Sequence, residues 1–196
     1  SGYHSGEIRK RHEAYNQELP GSVNTFDYVA QGWGWAQNAP FRRYKVWTHE
    51  GGISTPMIVR WPGVIRAGSL SHQVGHVVDI MPTLLDVSGA SYPKERNNVA
   101  VLPSEGISLW PVLEGGTRSD HQTLCWYLYG NRAVRQGRWK LVWGSNARKW
   151  ELFDMELDRT ETNDLASKHP QRVAQMEADW LQWAKRTGAP LKGTAL

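Results

Sequence analysis

Cysteine is nearly absent from this chain: Cys125 is the only one in 196 residues. A disulfide framework and a cysteine-built zinc site are therefore both excluded within one chain. The single thiol lies in Leu124-Cys125-Trp126-Tyr127 and reads as a buried group on an aromatic-rich strand. Long apolar runs are missing as well. No stretch approaches the roughly 20 apolar residues needed to span a bilayer, so no membrane span is expected. The opening Ser1-Gly2-Tyr3-His4 lacks the basic-then-apolar pattern of a signal peptide, which in a fragment says nothing of the parent's address. Neither sign of charge dominates, since 23 Lys+Arg against 19 Asp+Glu leave a formal net charge of +4. The basic residues are scattered apart from Arg9-Lys10-Arg11 and the group Arg42, Arg43 and Lys45. No recognition motif accompanies them, so nucleic acid is not expected as a partner, and an acidic small substrate fits the charge equally well.

What the chain does have is the balance of a globular protein, with 40% hydrophobic and 21% charged residues. Its length suits one ordinary domain or part of a larger one. Eleven tryptophans are many for this length. They fit a core, a sugar-stacking platform, or contacts to a missing part of the protein.

Residues 1–40 do not read as a self-contained unit. Glu7 to Glu18 is polar with weak helical spacing, and Pro20-Gly21-Ser22 and Gly32-Trp33-Gly34-Trp35 break regular structure. Met57-Ile58-Val59-Arg60-Trp61, closed by Pro62-Gly63, suits a strand buried in a larger sheet. A short helix is expected from Val77 to Val87, with Asp79 as N-cap, Pro82 in the tolerated first turn and Gly89 ending it. Its Ile80, Met81, Leu84, Leu85 and Val87 would face a core. Residues 91–120 are loop-like. The composition then shifts: Thr123–Tyr129, Ala133–Arg135, Trp139–Trp143 and Glu151–Phe153 read as four strands of an antiparallel meander, with Gly137 in one turn. Alternation of Trp139, Leu141 and Trp143 with Lys140 and Val142 gives one strongly apolar face. In the last helix, Pro170 opens the first turn and Val173, Met176, Trp180, Trp183 and Ala184 recur at helical spacing. Lys185 and Arg186 complement the dipole, and Gly188 ends it. The tryptophans of this helix and sheet are accordingly read as core. A boundary falls near residue 120: after it lies a unit that can pack on itself, before it one strand, one helix and long loops. One strand makes no sheet, so the first part wants partners that the sequence lacks.

Chemistry concentrates in Arg42-Arg43-Tyr44-Lys45-Val46-Trp47-Thr48-His49-Glu50-Gly51-Gly52-Ile53-Ser54-Thr55-Pro56. Glycine pairs permit positive φ and close backbone approach, and basic side chains beside them can hold an oxyanion. A solvated charged turn is the competing reading of the same residues.

Lys45-x-x-x-His49-Glu50-Gly51-Gly52-x-x-x-Pro56, followed by Ile58-Val59-Arg60-Trp61-Pro62-Gly63, resembles the C-terminal signature of the sulfatase family. Asn38-Ala39-Pro40-Phe41-Arg42-Arg43-Tyr44 is similar to the lead-in of bacterial arylsulfatases. Asp79-Ile80-Met81-Pro82-Thr83-Leu84-Leu85-Asp86, Asn131 to Val142, Trp150-Glu151-Leu152-Phe153-Asp154 and Asp158-x-Thr160-Glu161-x-Asn163-Asp164-Leu165 follow that family's order. The resemblance runs from about residue 20 to residue 188. It implies an α/β fold, the C-terminal part of an alkaline-phosphatase-like sulfatase, ending in a small antiparallel sheet packed by one long helix. Residues 1–120 would be the C-terminal end of the large α/β catalytic domain, incomplete here, and residues 121–196 the small sheet-plus-helix subdomain.

The resemblance also implies chemistry. Sulfatases hydrolyse sulfate esters with a formylglycine made from Cys or Ser in a Cys/Ser-x-Pro/Ala-x-Arg motif, and a calcium ion polarises the sulfate oxygens. Cys125, followed by Trp126-Tyr127-Leu128, does not match that motif, and the carboxylate-rich metal ligands and the Asp-Asn-Gly segment are absent. The nucleophile and Ca2+ would then come from a missing N-terminal part, no residue here is assigned to metal, and the chain as given is expected to be inactive alone. The implied partners are a small-molecule or sugar sulfate ester and the remainder of the catalytic domain. Lys45 matches a family lysine that contacts the sulfate, where an ammonium also stabilises charge developing toward the leaving oxygen; pairing with Glu50 at the surface is its bland alternative. His49 either lines the pocket or braces the turn, so Lys45 and His49 stand as catalytic candidates. Arg42 and Arg43 join Lys45 as candidates for substrate binding by anion attraction. Glu50, Gly51 and Gly52 shape the loop, and His72 and His76 read as structural. Two other functions compete: a phosphonate or phosphate ester hydrolase of the same superfamily, and a non-catalytic tryptophan-rich binding module.

Overall fold

The computed structural model describes residues 31–191. Glu7 to Glu18, Pro20-Gly21-Ser22 and Arg9-Lys10-Arg11 lie outside the described residues. Helices α1 (Gln31–Asn38), α2 (Glu50–Ile53), α3 (Ile80–Ser88), α4 (Trp110–Leu113) and α5 (Pro170–Thr187) alternate with strands β1 (Glu95–Arg96), β2 (Val99–Ala100), β3 (Leu124–Leu128), β4 (Asn131–Gln136), β5 (Trp139–Trp143) and β6 (Trp150–Asp154). The chain separates into two units. One comprises the described residues up to Thr55 with those from Thr123 onward, and the other is Pro56–Gln122.

In the first unit the period-two pattern becomes a four-stranded antiparallel meander in the order β3-β4-β5-β6. Leu128 pairs with Asn131 across Tyr129-Gly130, whose φ values of 47° and 82° are both left-handed, as a tight hairpin turn requires. Gln136 pairs with Trp139 across Gly137, at φ 56°. Helix α5 lies on one face. Its Met176, Trp180 and Ala184 meet Val134, Leu141 and Leu152 in a core where all six are fully buried. Pro170 sits in its first turn, and Gly188, at φ 73°, closes its end. The expected apolar face is therefore present, with Leu141 at its centre.

The opposite face is buried too, which the alternation did not signal. Ala133, Val142, Phe153 and Met155 form a second cluster there, and Lys140, between Trp139 and Leu141, is fully buried. The segment 41–54 meets this side of the sheet. Arg42 lies over the Phe153 ring at 5.8 Å, the Thr48 hydroxyl donates to the Arg132 carbonyl, and Asn131 Nδ2 donates to the Val46 carbonyl. Helix α1 corrects one expectation, because Gly32 and Gly34 do not break it. Two interior glycines cost about 1 kcal/mol each. Gly34 is buried, Asn38 Nδ2 bonds its carbonyl, and Trp35 packs edge-on against Tyr44, so tertiary contact overrides propensity.

In the second unit two expectations are corrected. Residues 57–61 form no strand among the described residues, and Ile58 is 93% exposed. A strand needs a neighbour for its N–H and C=O groups, and the only ladder in this unit is the two-residue pair β1–β2 across Asn97-Asn98. Helix α3 forms and ends at Gly89 (φ 68°), yet Ile80, Met81 and Leu84 are exposed and Thr83 is its buried residue. Asp79 stands at its N-cap position, as expected, but its side chain makes no capping bond to α3. A 3₁₀ turn over Val77–Asp79 precedes α3, capped by the His76 side chain, which accepts the Val78 N–H, while the Asp79 carboxylate accepts the His76 N–H.

Candidate functional site

The segment from Phe41 to Ile53 is held by its own backbone before any side chain acts. The Gly51 N–H donates to the Arg42 carbonyl at 2.9 Å, and the Trp47 N–H donates to the Tyr44 carbonyl at 3.1 Å. The second bond closes a turn whose tip is Lys45-Val46. Val46 has φ 89°, a conformation that costs a β-branched residue about 1–3 kcal/mol and persists only where surroundings impose it. Asn131, donating to its carbonyl, is one such restraint. Gly51 and Gly52 are required by close approach: a Cβ at Gly51 would lie 2.2 Å from the Arg43 oxygen, and one at Gly52 2.0 Å from the Trp47 oxygen. Helix α2 is thus wedged beneath the peptide groups that flank Lys45.

The four basic or titratable side chains expected to act together are divided by the structure. Lys45 is exposed, with no hydrogen bond or ion pair among the described residues. Arg43 lies over Trp47 at 4.4 Å and over Trp35 at 5.5 Å. Arg42 donates to the Glu161 carbonyl and sits 3.8 Å from Glu151. His49 is 1% exposed, with Nε2 3.4 Å from Glu151 and its ring edge-on to Trp47. Its Nδ1 finds no hydrogen-bond partner among the described residues. Arg42 and His49 therefore meet on one carboxylate, while Lys45 stands apart. The His49 contact, Arg42 and Lys149 outweigh burial and hold the Glu151 carboxyl below its ordinary pKa.

Glu50 pairs with Lys140, not with Lys45. Lys140 Nζ lies 2.6 Å from Glu50 Oε1 and 2.8 Å from Glu161 Oε1, with the lysine fully buried. Glu161 Oε2 accepts the Glu50 N–H at 2.9 Å. Burial alone would raise the Glu50 carboxyl, but Lys140, Arg135 and Arg159 outweigh it and hold its pKa below the ordinary value. Sequence reasoning passed over Lys140, Glu151 and Glu161. The available signal was a lysine between Trp139 and Leu141-Val142 in an otherwise apolar strand. In such a place a charge requires partners.

Among the described residues no group of three or more His, Cys, Asp or Glu is placed to hold a metal ion, and no helix is long and apolar enough to cross a membrane. The loop therefore offers one exposed ammonium on a braced turn.

The family model described as N-sulphoglucosamine sulphohydrolase, C-terminal, matches residues 41–183. An uncharacterised sulfatase of Schizosaccharomyces pombe is 30% identical over 174 residues, covering 86% of this chain and 31% of that protein. The N-acetylgalactosamine-6-sulfatase of Canis lupus familiaris is 33% identical over 153 residues, covering 72% of this chain and 28% of that enzyme. The chain thus spans about a third of the length of the curated relatives it matches. The crystal structure of Ps i-CgsB in complex with k-i-k-neocarrahexaose superposes with a TM-score of 0.61 at 23% identity, over 74% of this chain and 32% of that one, a likeness of fold.

Proposed function

The chain belongs to the sulfatase family, of which it carries a C-terminal portion, and from that premise we propose that its parent protein hydrolyses sulfate esters, with Lys45 contacting the sulfate group. The observation that carries this reading is the disposition of cations around the loop. Arg42, Arg43 and Lys140 are each engaged by their own chain, and among these described cations the exposed Lys45, at the tip of a strained and braced turn, is the one left for a ligand. A fixed ammonium favours a bound sulfate and stabilises charge that develops toward the leaving oxygen. His49, buried against Glu151, serves the same site as a positioning residue for the turn that ends in α2. Arg42 and Arg43 add to the local positive potential without reaching the substrate. The substrate class we infer is a sulfated sugar, a reading supported by the named activity of the relative from Canis lupus familiaris. Formylglycine as nucleophile and a divalent metal such as calcium would be supplied by the remainder of the parent's catalytic domain.

Lys45→Ala in the parent protein is expected to lower kcat/KM for a sulfate ester by about 10²–10³, the loss seen when one preorganised electrostatic contact is removed. A variant that retains its rate would sink the assignment of Lys45. Parallel assays on an aryl sulfate and an aryl phosphonate separate the two superfamily activities: a wild-type preference for the phosphonate would replace the sulfatase reading. The isolated 196-residue chain is expected to turn over neither ester, and sustained turnover by it would refute the division of labour between this portion and the rest.

A further inference from the structure

Lys140 sits on the face of β5 opposite α5, fully buried. A charge withdrawn from water costs several kcal/mol unless partners replace its hydration. Here two carboxylates do so, at 2.6 and 2.8 Å, from parts of the chain that are not otherwise neighbours in sequence: Glu50, the first residue of α2, and Glu161, in the loop after β6. The Glu50 N–H donates to the second oxygen of Glu161, so the three residues close a ring. Two carboxylates exceed one ammonium, and Arg159 offsets the difference at 3.7 Å from Glu50 Oε2, while Arg42 donates to the Glu161 carbonyl.

The ring fixes where α2 begins. From there the contacts run without a gap to Lys45, because Gly51 and Gly52 are wedged against the carbonyls of Arg42, Arg43, Tyr44 and Trp47, the peptide groups on either side of the turn tip. An apolar contact would hold the loop on the sheet but leave it free to slide. Three charged groups satisfy one another in one arrangement only, which is the use for which a buried ion pair is suited. We propose that Lys140, with Glu161, is a positioning residue for Lys45: a buried ionic clamp that sets the height and orientation of the sulfate-binding turn above the sheet. This rests on the role of Lys45 given above.

The experiment is a double-mutant cycle in the full parent protein. Lys140→Met is expected to lower kcat/KM for a sulfate ester by about 10–100-fold, as a misplaced group does. In a Lys45→Ala background the same change is expected to alter kcat/KM by no more than about twofold. Leu141→Ala, one residue away on the helix-facing side, is the control, destabilising the sheet without touching the clamp. A Lys140→Met loss that persists in full on top of Lys45→Ala would overturn the proposal, as would an equal loss in Leu141→Ala at matched stability. If Lys140→Met does not fold, Glu161→Gln carries the same cycle, since glutamine still offers an acceptor to the Glu50 N–H. Should the wild-type parent leave sulfate esters intact, the functional reading fails and the clamp is read by amide exchange. Residues 48–54 are then expected to exchange about tenfold faster in Lys140→Met than in Leu141→Ala at matched stability, and equal rates would overturn the clamp.

Discussion

Asp79→Asn is expected to destabilise the unit Pro56–Gln122 by about 3–5 kcal/mol, measured by chemical denaturation at neutral pH. Asp79 has no exposed surface, and each of its oxygens accepts two hydrogen bonds. Oδ1 takes the Ile107 N–H at 2.9 Å and His121 Nε2 at 2.7 Å, and Oδ2 takes the His76 N–H at 2.8 Å and Arg118 Nη2 at 2.8 Å. Asparagine keeps the shape but places an NH₂ group against two donors, and it leaves Arg118, whose side chain is 2% exposed, without its counter-charge. The consequences spread through the unit, because Arg118 also donates to the carbonyls of Ile107 and Val74. Burial would raise the Asp79 carboxyl, but the Ile107 and His76 N–H groups, Arg118 and His121 outweigh it and hold its pKa below the ordinary aspartate value. A depressed folded-state value means that this stabilisation is fully present above the unfolded-chain pKa and is lost as pH falls through the folded one. Wild type and Asp79→Asn should therefore differ most at neutral pH and converge in acid. A difference below about 1 kcal/mol at pH 7 would show that the network contributes no more than an ordinary surface pair.

The same residue marks the border between what pattern reveals and what it conceals. Val77-Val78-Asp79-Ile80 looks like a helix start, and a helix does follow. Period and capping chemistry are local, so the sequence carries them. The sheet and α5 were legible for that reason, down to Gly137, Pro170 and Gly188 at their termini. Asp79 instead serves residues 28 to 42 positions away, and no local rule encodes such a partner. Burial is equally non-local. Met57 to Trp61 and the apolar side of α3 carry a core pattern, yet in this chain Ile58 and Leu84 are exposed, because an apolar run specifies that it will be covered and not by what. At the candidate site the motif gave the loop and its glycines, whereas the sorting of its cations did not follow from composition. Arg42 and Arg43 beside Lys45 suggest one basic cluster. In space, Arg42 binds Glu161, which lies 119 residues away, and Arg43 stacks on tryptophan. Lys140 was the readable exception, a charge among apolar neighbours whose cost requires a buried counter-ion.

Trp180→Ala is expected to cost the first unit about 3–5 kcal/mol, the usual range for removing a large buried aromatic ring. The ring is fully buried, with the rings of Trp183, Tyr127 and Trp150 at centroid distances of 6.1, 6.3 and 6.4 Å. The Arg132 guanidinium lies 4.8 Å from its centroid, and its Nε1–H donates to the Trp126 carbonyl at 3.0 Å. Alanine would lose the packing, leave a cavity between α5 and the sheet, and remove the Nε1–H donation to that carbonyl. Trp180→Phe keeps most of the packing and removes the N–H, so about 1–3 kcal/mol is expected from the lost hydrogen bond and the smaller ring. This series also decides between the two uses a tryptophan-rich chain can make of its rings. A sugar-stacking platform needs flat faces open to solvent, and their removal would weaken binding while sparing stability. A core ring does the reverse, and Trp180 has no face to offer. The functional consequence is indirect: Leu141 packs in the same cluster as Trp180, so the loss acts through the stability of the sheet and not on the clamp itself. If the parent hydrolyses sulfate esters as proposed, Trp180→Ala should lower that activity only at temperatures where the sheet begins to open. An immediate loss of sugar affinity with unchanged stability would instead establish the ring as a binding surface.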